Sequence, residues 1–251
     1  MLPSLLIDVG NGRTKFGLAT ADVILEQRDA PTSLLVADTE RTLASTLAGW
    51  DYGRVITSSV VPAATERLIG HYERRMLNLR HDINLGIGIR YPKPETIGPD
   101  RLANAVALAR LHGAPGIVID FGTAVTFDIV AADAAYVGGV IAPGLRLMTD
   151  YLHERTALLP QVDLKEPETA IGKSTVGAIL AGAAIGYRGM VRGILEALRE
   201  ELGHPDHLRV VATGGDAGWI ASRLPEIAVV DSDLTLHGLR LVGNLHAGSP
   251  V

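Results

Sequence analysis

The sequence predicts an α/β protein of two similar lobes, each built on a mixed sheet flanked by helices. Three observations carry this. Two stretches share one layout: "LLIDVGNGRTKFGL" (5–18) and "IDFGTAVTF" (119–127) each run from an apolar strand through Asp, one further residue and Gly into a second apolar strand. Each is followed by alternating strand-like and helix-like segments. Between them "GAPG" (113–116) interrupts the chain and gives lobes at 1–113 and 114–251.

In the first lobe the pattern gives a strand at Leu5–Asp8, a turn at Asn11-Gly12, where both residues tolerate positive φ, and a strand at Thr14–Thr20. Leu43, Leu47 and Trp50 recur at helical spacing, so 39–50 is an amphipathic helix. "RVITSSVVP" (54–62) reads as a buried strand, 64–78 as a helix, and a further strand ends near 87–92. After a Pro-rich connector, Pro99-Asp100 opens an Ala/Leu helix running to about Leu111, with Asp in the first turn where exposed N–H groups favour it.

The second lobe repeats the start with strands at Ile117–Asp120 and Thr126–Val130 and adds a third at 134–144. Pro143-Gly144 hands over to a helix at 145–160, and 174–202 is helical, with Ala and Gly allowing close packing. "LRVVATGGDAGWIASRL" (208–224) reads as strand, Gly-Gly turn and helix, and 226–244 closes with a strand and a short helix.

Composition narrows the function. The 251 residues are 47% hydrophobic and 20% charged, a globular balance, and the net charge of −5 argues against a non-specific grip on nucleic acid or anionic membrane. The densest basic run, "HYERRMLNLRH" (71–81), reads as the wet face of a helix. Without cysteine there are neither disulfides nor thiolate metal sites. The N-terminus reaches Asp8 and Gly10 too soon for a signal peptide, and no apolar run of about 18 residues is seen, so a soluble, cytoplasmic protein is expected. There is no G-x-x-x-x-G-K-[ST] loop, no G-x-G-x-x-G after a strand, no G-x-S-x-G, and no paired histidine spacing.

A turn of Gly and small polar residues presents backbone N–H groups to phosphate oxygens. The Asp before it repels phosphate. It either caps its own turn or holds a metal ion or metal-bound water beside the phosphates, and its recurrence as Asp8 and Asp120 favours the second. "ATGGD" (212–216) adds a Gly-Gly approach, with Thr213 and Asp216 as hydrogen-bonding groups, suited to a nucleoside.

This arrangement resembles the acetate and sugar kinase, Hsp70 and actin superfamily, whose lobes are ribonuclease-H-like (the actin-like ATPase fold). Within it the chain resembles the type III pantothenate kinases over nearly its whole length, through "IDVGNGRTK", "YPKPETIGPDR", "DFGTAVTFD", "GGVIAPG", "IGKSTVGAILAG", "ATGGD" and "DLTLHGL". The resemblance implies transfer of the ATP γ-phosphoryl group to the primary hydroxyl of pantothenate, the first step towards coenzyme A. It implies that Asp8, Val9, Gly10, Asn11, Gly12, Arg13, Thr14 and Lys15 form the first ATP phosphate loop, with Asp8 placing Mg²⁺ (through water if not directly) and Lys15 offering a cation to phosphate. Thr123, Gly214 and Gly215 would contact ATP, and Asp120 would bind a monovalent cation, K⁺ or NH₄⁺. Asp100 would be the general base. Tyr91, Gly98, Pro99, Asp100, Arg101 and Thr175 would form the pantothenate site, Arg101 suiting the substrate carboxylate. A homodimer is implied as well.

Gly12 stands where the family usually has Thr or Ser, removing a hydroxyl that Thr14, on the same face of a regular hairpin, would replace. Pro99 replaces a small residue, and Lys173-Ser174 stands for Lys-Asn. Two alternatives share the fold: a non-catalytic nucleotide-binding regulator and a kinase for another small hydroxyl substrate.

Overall fold

The computed structural model describes residues 2–247. Its first sheet starts as an antiparallel meander of β1 (Ser4–Val9), β2 (Arg13–Ala19) and β3 (Ile24–Pro31), in which Lys15 stands opposite Asp8 on one side and Asp29 on the other. β4 (Val55–Ser59) lies parallel to β1, and β5 (Met76–Asn78) parallel to β4. The order is β3-β2-β1-β4-β5.

The second sheet repeats this order. β6 (Gly88–Ile89) precedes it in the chain, followed by β7 (Gly116–Phe121), β8 (Ala124–Val130), β9 (Ala135–Pro143), β10 (Arg209–Thr213) and β11 (Val229–Val230). The strands run β11-β10-β7-β8-β9, with β6 added parallel to β9 at the edge. Numbered from its own first strand, each sheet therefore reads 3-2-1-4-5. By contacts the chain forms two compact units. One takes the residues up to Ala114, Asp128–Gly138 and Asp233 onwards; the other takes Pro115–Phe127 and Gly139–Ser232.

In the first unit β1 is buried on both faces. Leu5, Ile7 and Val9 pack with Phe16 against α1 (Thr32–Ala37), α2 (Thr39–Thr46) and α3 (Pro62–Tyr72), through Leu35, Leu43, Leu68 and Tyr72. Leu6, on the other face, lies by Gly17 and Leu236 of α9 (Leu234–Leu245). Strand alternation puts Asp8 on this second face. α4 (Pro99–Ala107) continues through a π-helical turn at Leu108–His112 and is pressed against α9 so closely that a Cβ on Gly238 would overlap the Ala103 backbone. Thr235 donates to Asn104 across this joint at 2.8 Å, both residues buried.

In the second unit α5 (Leu145–Arg155) precedes an irregular segment. α6 (Thr175–Ala181), capped by Ser174, then runs through a π-helical turn at Gly182–Gly186 into α7 (Tyr187–Glu201). Buried Arg188 ties the irregular segment down. It holds Glu166 with both terminal nitrogens (3.1 and 2.5 Å), donates to the Trp219 carbonyl at 2.9 Å, and lies over the Trp219 ring, in α8 (Ala217–Ala221).

Several expectations are corrected. Neither Asn11 nor Gly12 takes a positive φ, because three residues, Gly10 to Gly12, separate the strands and the Gly10 N–H closes the loop on the Arg13 carbonyl. The helix expected over 64–78 stops at Tyr72, where Glu73 adopts a φ of 49°, and Met76–Asn78 becomes a strand. The helix expected to reach residue 160 ends at Arg155. The expectation that no apolar run reaches membrane length also fails, since the continuous helix Thr175–Glu201 meets that criterion by length and composition. Arg188 inside it is buried and paired with Glu166, as in a helix packed on its own protein.

Candidate active site

The β1–β2 hairpin places Asp8 one residue from the end of its strand, partly buried. Ser58, beside it on β4, donates its hydroxyl to Asp8 Oδ1 at 2.7 Å. Behind the loop, Thr32 donates to the Gly10 carbonyl at 2.7 Å, which leaves Thr14 as donor in the 3.0 Å contact between the two threonine hydroxyls. Thr14 is fully buried, so it does not stand in for the hydroxyl missing at Gly12; that expectation is corrected. Position 12 is open, with nothing within 4 Å of where a Cβ would lie. Val9 is also buried, so its side chain packs in the core and does not face the loop. Arg13 pairs with Asp29 at the surface, and Lys15 shares a shallow recess with both.

The segment leading into α4 brings Asp100 and Arg101 together. Asp100 Oδ1 accepts from the Arg101 backbone N–H at 2.8 Å. It also lies where a Cβ on Gly98 would be, so glycine there leaves room for the carboxylate. Burial pushes the Asp100 carboxyl above its ordinary value, against the lowering effect of that N–H and of the Arg101 charge. Arg101 turns its Nε to Asp128 Oδ1 at 2.6 Å, and Asp128 is wholly buried. Burial lowers the guanidinium's pKa, but Asp128 and Tyr136 raise it further, for a net upward shift. Tyr91 is partly exposed and meets the ring of Tyr136 edge-on, 6.1 Å between centroids. Tyr91, Gly98, Pro99, Asp100 and Arg101 thus fall in one unit with the first hairpin.

Asp120, Thr123, Gly214, Gly215 and Thr175 fall in the other unit. The β7–β8 connection is two residues, Gly122 and Thr123, closed by the Gly122 N–H on the Ala124 carbonyl at 3.1 Å. It is clamped by two glycines. Gly144 donates its N–H to the Thr123 carbonyl at 3.0 Å, and a Cβ there would overlap the carbonyls of Gly122 and Thr123. Gly214, with a φ of 93°, sits where a Cβ would come within 2.5 Å of the Phe121 carbonyl and 2.6 Å of Asp120 Oδ1. Gly215 is exposed at the turn. Thr175, exposed at the start of α6, lines a recess of about 460 Å³ with Met148, Thr149 and Leu152 of α5. Among the described residues no group of three acidic or histidine side chains forms a ready-made metal cage. A single carboxylate at a phosphate loop still fits a hard cation that takes its remaining ligands from phosphate and water.

The family model for type III pantothenate kinase matches residues 4–197. The chain belongs to this family. A type III pantothenate kinase of Akkermansia muciniphila is 48% identical over 242 residues, covering 96% of this chain and 98% of that one. One from Methylacidiphilum infernorum is 44% identical over 241 residues, covering 96% and 88%. Among solved structures, the inorganic polyphosphate/ATP-glucomannokinase of Arthrobacter sp. strain KM aligns with a TM-score of 0.54 at 13% identity, covering 98% of this chain and all of that one. The fold is that of the actin-like ATPases and sugar kinases. As a type III pantothenate kinase, the chain is a transferase that uses ATP to phosphorylate pantothenate in coenzyme A biosynthesis.

Sequence reasoning missed five residues that this kinase sets around the predicted ones: Ser58, Thr32, Gly144, Asp128 and Tyr136. Only "GGVIAPG" and "DFGTAVTFD" carried a signal, because Gly144 and Asp128 lie inside motifs already singled out.

Proposed function

We propose that the pantothenate kinase reaction runs on Asp100 as general base, with the β1–β2 and β7–β8 hairpins as phosphate loops. The observation that carries the base assignment is the partly buried Asp100 carboxyl in the first turn of α4, held by the Arg101 N–H, where desolvation favours its protonated form. Asp100 accepts the proton of the pantothenate primary hydroxyl as its oxygen attacks the γ-phosphorus. The bond from that phosphorus to the bridging oxygen breaks, and ADP leaves. The transition state is loose, so the protein contributes chiefly position and charge.

Lys15 neutralises phosphate charge, and Asn11 and Gly12 form the exposed tip that faces the phosphates. Asp8, held by Ser58, is the carboxylate suited to Mg²⁺, directly or through water, and Asp120 is the one suited to K⁺ or NH₄⁺. When bound, these cations would supply charge neutralisation to the phosphates. Thr123, Gly214 and Gly215 approach ATP. Tyr91, Gly98, Pro99, Arg101 and Thr175 receive pantothenate, Arg101 through its carboxylate.

A homodimer is part of this reading. Leu147, Met148, Tyr151 and Leu152 lie exposed on one face of α5, an apolar surface suited to a second copy. A metabolic kinase of this composition, without cysteine, suits the cytoplasm.

Asp100→Asn tests the base. Turnover is expected to fall about 10³-fold with the fold intact; a near-normal rate refutes the assignment. In the parent enzyme kcat/KM should fall on acidification along a limb lying above the ordinary carboxylate value of 3.8, because protonated Asp100 cannot accept a proton. Stability has the opposite sign. A carboxyl whose pKa is raised by folding binds protons more tightly in the native state, so its contribution is lost as pH rises from 3.8 through the raised value. Asp100→Asn should therefore be at least as heat-stable as the parent at neutral pH, as thermal melts will read.

A further inference from the structure

We propose that Asp128 and Tyr136 are positioning residues for Arg101 and thereby set the enzyme's affinity for the carboxylate of its acceptor; this rests on the assignment of Arg101 to the pantothenate site. Asp128 has no exposed surface and so can touch neither substrate nor solvent. A buried carboxylate persists only where partners replace its water. Its Oδ1 accepts from Arg101 Nε at 2.6 Å and from the Tyr136 hydroxyl at 3.3 Å.

Tyr136 is itself fully buried, and its placement links the acceptor segment. Its ring lies 5.9 Å from the Arg101 guanidinium carbon and 6.1 Å from the ring of Tyr91, inclined at 68°. Two predicted acceptor residues, Tyr91 and Arg101, thus converge on one buried phenol on β9 beside one buried acid on β8. Burial and the neighbouring Asp128 charge push the phenol's pKa up, so it remains a donor at any working pH.

Fixing Nε has a geometric result. The guanidinium is planar, and a bond at Nε stops its rotation about the end of the side chain. That rotation sets the plane in which the fork meets a carboxylate. Arg101 therefore meets its ligand already oriented, and less entropy is lost on binding.

The test is steady-state kinetics of Asp128→Asn, Tyr136→Phe and Arg101→Lys with two acceptors, pantothenate and pantothenol, in which the carboxylate is replaced by an alcohol. Where pantothenol is not turned over, it is assayed as a competitive inhibitor. For Asp128→Asn the KM for pantothenate should rise about tenfold or more, with kcat and the KM for ATP within about twofold of the parent. The pantothenol constant should not move, because no carboxylate is there to orient. Tyr136→Phe removes only a hydroxyl and should show the same pattern at about threefold, which keeps the proposal testable if Asp128→Asn does not fold. Equal losses with both acceptors would make the pair merely structural. A lower KM for pantothenate in Asp128→Asn would mean that Asp128 weakens the Arg101 charge rather than aiming it. Either result, or no change at all, overturns the proposal. If Arg101→Lys leaves the pantothenate KM unchanged, the acceptor-site assignment itself fails. If Arg101→Lys raises it and the Asp128 and Tyr136 variants do not, only the positioning fails.

Discussion

The β1–β2 and β7–β8 hairpins each place an aspartate two residues before a glycine, at the end of the first strand of a sheet with the same strand order, yet they are braced by different means. The first is held by side chains: Ser58 on Asp8, and Thr32 on Gly10 and Thr14. The second, one residue shorter, is held by bare backbone, with Gly144 against Gly122 and Thr123 and Gly214 against Phe121 and Asp120. A hydroxyl brace can be removed without displacing atoms around it. A backbone brace cannot accept even a methyl group. The two loops should therefore differ sharply in their tolerance of mutation.

The strongest test is Gly214→Ala. The new Cβ meets Asp120 and the Phe121 carbonyl at a residue already in the left-handed region, so a loss of roughly 3 kcal/mol is expected. Turnover should drop with it, read by thermal melts and ADP release. A variant as stable as the parent would show that the second hairpin is not clamped. Next comes Thr32→Val, which leaves the Gly10 carbonyl and Thr14 hydroxyl without their partner and should cost about 1–2 kcal/mol in denaturant titrations. A cost matching that of Gly214→Ala would erase the contrast between the loops. The smallest effect is expected for Gly12→Ser, in open space at the loop tip. Stability should stay within about 0.5 kcal/mol. The KM for ATP should fall about fivefold, the worth of one net hydrogen bond; an unchanged KM would place that tip away from the phosphates.

Most of the α/β organisation was legible because β1, β2, β7 and β8 are apolar runs punctuated by Asp and Gly. β3 and α1 escaped notice. Glu26, Gln27, Arg28 and Asp29 make β3 look like a solvated loop, since it is an edge strand with only Ala30 buried. Glu73 takes a left-handed φ without the Gly or Asn that would announce it, so the helix end at Tyr72 had no local mark. In the candidate site, the charged residues proposed to meet ligands stood out by type. Those that hold them did not. Asp128 lies in an apolar strand 27 residues from Arg101, and only the fold makes them neighbours. Thr14 was misjudged for the same reason, since Thr32, 18 residues on, claims its hydroxyl.

The joint between α4 and α9 has a consequence for synthesis. Gly238 rests on the Ala103 backbone, and Thr235 bonds Asn104 one turn beyond Asp100 and Arg101, so the helix that begins with the proposed base and carboxylate anchor gains its packing partner from a helix 131 residues further along. The ribosome delivers that partner long after α4 itself. A nascent chain that has already made both hairpins still exposes the buried face of α4 until residues beyond Asp233 emerge. A message truncated before that helix would encode every predicted catalytic and binding residue and yet leave α4 without the surface it packs on.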